Sequence, residues 1–144
     1  CQLIMAAHIS VANVTGSDIP ATLSSVILQD KLREEMGYEN VIIADAMEMG
    51  AITKQYEDNT EAVKLGIKAG LDIILNPMDF RKAFDAVVKA VYTGEISEER
   101  INESVRRILR MKRSIKDAID DTDPTPLKEW TAGATVSKQT IEIY

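Results

Sequence analysis

Val41-Ile-Ile-Ala44 is a run of four apolar residues that ends in a carboxylate, Asp45, and a helix-forming segment, Ala46-Met-Glu-Met-Gly-Ala-Ile52, follows directly. In parallel α/β proteins the groups that do chemistry collect where strands end, because strand termini and the loops after them line the open face of the sheet. Packing gives no reason for an Asp at such a terminus, so Asp45 is the candidate catalytic residue. The competing explanation is an Asp that satisfies backbone donors at the strand end or caps the next helix. Two other apolar runs end in polar groups of interest: Leu3-Ile-Met-Ala-Ala7 in His8, and Asp72-Ile-Ile-Leu75 in Asn76. No His/Cys/Asp/Glu group has metal-ligand spacing, and neither a metal nor an organic cofactor is expected.

The elements that must carry these residues alternate between strand and helix. Leu3 to Ala7 reads as a strand covered on both faces. A polar loop, Asn13 to Pro20, follows. Ser24 then reads as a helix N-cap, with Val26, Ile27, Leu28, Leu32 and Met36 as the apolar stripe and Gly37 as the stop. Val41 to Ala44 is the second strand. Thr60 to Ala69 is a helix ended by Gly70, Asp72 to Asn76 a third strand, and Asp79 the cap of a helix whose Phe80, Ala83, Phe84, Val87, Val88 and Val91 keep a 3.6-residue period. Gly94 closes it. Ser97-Glu-Glu-Arg opens a last long helix with Ile101, Val105, Ile108 and Leu109 on its apolar face. Alternation at this spacing means βα units and a parallel sheet. The sequence therefore divides into an α/β portion, residues 1–119, and a Pro-containing linker and tail, residues 120–144, which could begin a second domain and holds Trp130 as a packing residue.

With 144 residues, 45% hydrophobic and 28% charged, the chain has the composition of an ordinary globular protein. The formal net charge of -6 argues against a nucleic-acid partner. The basic run Arg106-Arg107, Arg110, Lys112-Arg113 falls where it would complement the negative end of a helix dipole. No apolar run is long enough for a membrane span, and the single cysteine, Cys1, excludes a disulfide framework. A strand at the first residue, with no Met before it, suggests a piece of a longer polypeptide.

In order along the chain, Met5-Ala-Ala-His8-Ile, Pro20-Ala-Thr-Leu-Ser24, Leu32-Arg-Glu-Glu-Met-Gly-Tyr38, Val41 to Ile52, and Ala69-Gly-Leu-Asp-Ile73 with Gly94-Glu-Ile-Ser97 resemble glycoside hydrolase family 3 in its β-N-acetylhexosaminidase branch. The likeness runs from Leu3 to about Lys116. It implies a partial (β/α)8 TIM barrel made of the last three βα units, since a closed barrel needs eight strands and about 250 residues.

The resemblance places Asp45 at the catalytic nucleophile of a retaining glycosidase, which attacks the anomeric carbon while a proton donor on the other face assists the leaving group. The family's donor is a His on a loop that precedes the matched segment, so the chain would carry the nucleophile without its acid/base, and alone would be inactive. His8 matches the Ala-His strand end. It is expected either near the sugar or orienting active-site groups, against a buried, hydrogen-bonded structural histidine. Asn76 is an expected substrate contact; Met47 is another, weighed against apolar gap-filling. Ala46, where the β-glucosidase branch has Trp, leans the substrate toward N-acetylhexosaminides. Asp72 would lie on the stability face. Glu48 and Glu57 are read as solvated. The implied partner is a carbohydrate, an N-acetylglucosaminide, with the missing N-terminal barrel half or a second copy covering the sheet edges. Rival readings are a β-glucosidase or β-xylosidase of the same family, a non-catalytic barrel remnant, and a phosphoacceptor receiver module. The last wants an acidic pair after the first strand, where this chain has His8-Ile-Ser10.

Overall fold

The computed structural model describes the backbone of residues 1–122 and the side chains of residues 1–117; the expected linker and tail, Trp130 included, lie almost wholly outside the described residues. The chain forms two units, Cys1–Met111 and a second from Lys112 on. In the first, β1 (Leu3–Ala6), β2 (Val41–Ala46) and β3 (Ile73–Leu75) form a parallel sheet in the order β1-β2-β3. All three strands fall on apolar runs of the sequence, but β1 and β3 are shorter than expected, and β2 runs past Ala44 through Asp45 to Ala46. The helices are α1 (Ala12–Thr15), a π-wound helix (Val26–Glu35), α2 (Gly50–Thr53), α3 (Thr60–Ala69), α4 (Phe80–Tyr92) and α5 (Glu98–Thr122), with a 3-10 turn at Ala21–Leu23. No helix among the described residues is long and apolar enough to cross a membrane.

One face of the sheet carries the core. Ile42 and Ala44 pack with Ala6, Leu28, Ile52, Val63 and Leu71 in one buried cluster. Successive side chains alternate between faces, so Met5, Ile43 and Ile73, in register across the sheet, lie on the other face. There Met5 is exposed and both isoleucines are half-buried. Pairing is regular from Leu3↔Val41 to Ala6↔Ala44, but Ile43 faces Ile73 while Ala46 faces Leu75. Three steps along β2 thus match two along β3. The extra residue is a bulge spanning Ala44–Asp45, a device that re-aims side chains at strand ends.

Gly37, Gly70 and Gly94 end their helices with φ of 65°, 123° and 77°, the left-handed region that glycine enters without Cβ strain. Asp79 caps α4, its Oδ1 accepting from Lys82 N at 3.0 Å. Several expectations are corrected. The Asn13–Pro20 stretch is not all loop, since α1 forms its start. The helix N-cap falls on Ser25 instead of Ser24 and makes no side-chain cap, while the Ser24 carbonyl accepts from Leu28 N at 3.0 Å. Met36 leaves the buried stripe and is exposed, because the helix closes through five-residue bonds such as Met36 N to Lys31 O, and the wider winding rotates its last residue outward. The α4 stripe is only partly covered: Ala83 and Ala90 are buried while Phe80, Phe84 and Val88 are exposed, the two rings stacked 6.3 Å apart.

Helix α5 also departs from its pattern. Val105 and Leu109 are exposed, and Ser104 is the buried residue, flanked by Arg100 and Arg107. The face turned inward is polar because a buried carboxylate waits there. The helix continues to Thr122, three residues past the expected boundary. Nothing in Asp120-Asp-Thr122 forbids helix; the first constraint is Pro124, which restricts the residue before it. The basic run is therefore internal to the helix, and the dipole role expected for it does not hold.

Candidate active site

Asp45 stands at the C-terminal end of the central strand, half-buried. Its Oδ1 accepts from the next backbone N–H, Ala46 N, at 2.8 Å, and no other hydrogen bond to the carboxylate forms among the described residues. The backbone that follows is fixed from three sides. His8, just beyond β1, places Nε2 3.0 Å from Ala46 O and Nδ1 2.7 Å from Thr22 Oγ1. A carbonyl can only accept, so Nε2 donates to Ala46 O, while the Thr22 hydroxyl is the partner of Nδ1. Asn59 Nδ2 donates to Met47 O at 2.6 Å. From β3, Leu75 O accepts from Met47 N at 2.9 Å and Asn76 O from Glu48 N at 3.1 Å. A turn held at both amides and carbonyls fixes the backbone beside Asp45, the residue from which the carboxylate projects.

The other sequence candidates fall into different surroundings. Asn76 is exposed just beyond the C-terminal end of β3, at the same end of the sheet as Asp45, with φ 41°. His8 is brought beside Asp45, with both ring nitrogens engaged by protein. Met47 is fully buried in the core cluster; its side chain fills space, and the substrate contact expected of it gives way to packing. Glu48 and Glu57 are exposed. No group of three or more potential metal ligands occurs among the described residues.

A second carboxylate occupies the opposite end of the sheet. The Asp72 side chain is wholly buried and pairs with Arg33 at 2.7 Å, Arg107 at 3.1 Å and Arg100 at 3.5 Å. It also accepts from Ser104 Oγ at 2.7 Å and Ile42 N at 3.0 Å. Burial pushes the Arg33 and Arg100 guanidiniums below the ordinary arginine value, and the Asp72 charge opposes that shift. Every lone-pair direction of this carboxylate is spoken for, so it joins strand, π-wound helix and α5 and offers nothing to a ligand.

Two residues of the Asp45 surroundings carried little signal. Asn59 precedes a helix, as an N-cap would, but its side chain caps nothing and reaches back twelve residues. Thr22 lies in a loop-like stretch and shows its role only through His8.

Residues 1–111 match the glycosyl hydrolase family 3 N terminal domain, and the chain belongs to that family. The match ends where the first compact unit ends. Among individual proteins, a glycoside hydrolase family 3 β-N-acetylglucosaminidase from Paenibacillus sp. str. FPU-7 superposes with a TM-score of 0.76 at 38% identity, over 88% of this chain and 24% of its own. Beta-hexosaminidase A of Pseudoalteromonas piscicida is 30% identical over 132 residues, 78% of this chain and 22% of its own length. A β-N-acetylglucosaminidase/β-glucosidase of Cellulomonas fimi is 28% identical over 97 residues, 67% of this chain and 17% of its length. The chain thus spans a quarter or less of each of these three proteins.

Proposed function

We propose that Asp45 is the nucleophile of a retaining glycosidase that removes terminal β-linked N-acetylhexosamine, chiefly N-acetylglucosamine. The observation that carries this reading is the half-buried carboxylate at the C-terminal end of the central parallel strand, with its following turn fixed on both sides. In the first step a carboxylate oxygen bonds to the anomeric carbon as the glycosidic C–O bond breaks, and an acid on the opposite face protonates the departing oxygen. In the second, water activated by the same group attacks the anomeric carbon and releases the carboxylate. His8, the sole histidine, has both nitrogens committed to Thr22 and Ala46 and does not serve as that acid. Its place is in orienting the turn. Asn76 is the substrate contact on the neighbouring strand end.

The three βα units are read as the last three of a (β/α)8 barrel, with the other strands supplied by residues outside these 144. Half-exposed Met5, Ile43 and Ile73 suit a barrel interior, and the outer edges of β1 and β3 suit pairing with further strands. The apolar groove of Val63, Ile67, Ile74, Pro77, Phe80 and Phe84 suits a neighbouring βα unit. On this reading the 144-residue chain by itself turns over no substrate.

The name of the Cellulomonas fimi relative carries β-glucosidase beside β-N-acetylglucosaminidase, and relatives named as β-xylosidases also match, which favours a second reading: a β-glucosidase or β-xylosidase on the same nucleophile. Assay of the full-length protein on nitrophenyl N-acetyl-β-glucosaminide, β-glucoside and β-xyloside separates them. The first is expected to be the best substrate, with activity on all three lost in Asp45→Ala. Hydrolysis by the isolated chain, lost on Asp45→Ala, would remove the need for an outside acid.

A further inference from the structure

We propose that Asn59 is a positioning residue for Asp45, acting with His8 through the two successive carbonyls that follow the carboxylate; this rests on the nucleophile reading above. His8 Nε2 holds Ala46 O and Asn59 Nδ2 holds Met47 O. The two clamps come from different elements, one from just beyond β1 and one from the residue before α3. Neither side chain needs to touch substrate to matter, because each fixes a peptide plane one or two residues from the attacking group.

The chemistry of Asn59 is specific to this task. Its side chain is almost wholly buried, its backbone is left-handed with φ 66°, and its Oδ1 is buried and accepts no hydrogen bond among the described residues. Space-filling alone would be better served by an apolar residue, which leaves no polar atom without a partner. The left-handed backbone alone would be served by glycine. Asparagine tolerates that backbone and also supplies the donor that Met47 O receives. An aspartate of the same shape would meet the carbonyl with a second acceptor. The short bond to Met47 O is the one feature that only the amide provides.

The test uses the full-length protein. Asn59→Gly keeps the backbone conformation and deletes the clamp; kcat should fall about tenfold, with KM within about twofold, as expected for a displaced reacting group. In Asn59→Asp the introduced carboxyl can donate to Met47 O only when protonated, so kcat relative to wild type should recover as the pH falls, a response a merely structural role would not give. Hydrogen exchange at residues 46–48 should quicken more than in α3 or β1. Wild-type kcat and pH profile in both variants, or exchange raised evenly along the chain, would overturn the proposal. Asp45→Ala in parallel keeps the two ideas apart. If that variant retains activity, the nucleophile reading fails first; if it is dead while the Asn59 variants are unimpaired, only the positioning role fails.

Discussion

Asp45 and Asp72 are the same residue type at opposite ends of one three-stranded sheet, and their surroundings have been built for opposite ends. Asp72 is fully buried, with three arginines, a serine hydroxyl and a backbone N–H around it. Asp45 is half-buried and, among the described residues, has one bond, to its own neighbour's N–H, with the rest of its capacity open. A carboxylate saturated with donors is a structural part; its charge is neutralised and its oxygens cannot reach anything else. A carboxylate whose oxygens are left largely unsatisfied by the protein can act on a ligand. The difference lies in who satisfies the oxygens, and in parallel sheets it maps onto which end of the strands each Asp occupies.

The contrast can be broken from either side. The largest effect on chemistry is expected at Asp45: Asp45→Asn in the full-length protein should lower kcat by roughly three orders of magnitude or more, while thermal unfolding stays close to wild type. If the melting temperature falls as far as the activity, Asp45 is a structural part after all. The largest effect on folding is expected at the other end. Asp72→Ala leaves Arg33 buried without its counter-charge and Arg100 with only the half-exposed Glu103, and denaturant unfolding should show a loss of about 3–5 kcal/mol. Activity per folded molecule should change little.

A middle case sharpens the contrast. Thr22→Val keeps the shape but leaves His8 Nδ1 without its hydroxyl partner, at a cost of about 1–3 kcal/mol. It should also lower kcat, because His8 holds the turn beside Asp45. Stability measured by urea titration and kcat measured on the same preparations test both halves. The smallest effect is expected away from either carboxylate. Asp79→Ala removes the α4 cap and should cost about 1 kcal/mol in chemical denaturation, with kcat unchanged.

What the sequence made visible follows the range of the interactions involved. The strand ending in Asp45, the glycine stops and the Asp79 cap are local patterns, each readable within a few residues. The end of the sheet on which Asp72 falls was readable too, from its place before an apolar run. Its partners were not, because Arg33, Arg100 and Arg107 come from two helices far along the chain, and no local pattern separates an arginine bound for a buried carboxylate from one bound for solvent. The stripe on α4 shows the complementary limit. Periodicity marks which face of a helix is apolar, whereas Phe80 and Phe84 are exposed because cover depends on what lies beside them. Met36 escaped its stripe because a five-residue hydrogen-bond pattern does not keep the 3.6-residue period. Asn59 was illegible for a related reason: an Asn before a helix looks like a cap, and only the folded chain carries its amide to Met47.

The most direct test of the account is covalent trapping. The full-length protein would be incubated with a fluorinated N-acetylglucosaminide bearing a good leaving group, which slows release of the glycosyl-enzyme, and the labelled peptide would be mapped by mass spectrometry. The expected result is one sugar per molecule, in ester linkage to Asp45, with no label on Asp45→Ala. A label on another carboxylate, or undiminished labelling of Asp45→Ala, would contradict it.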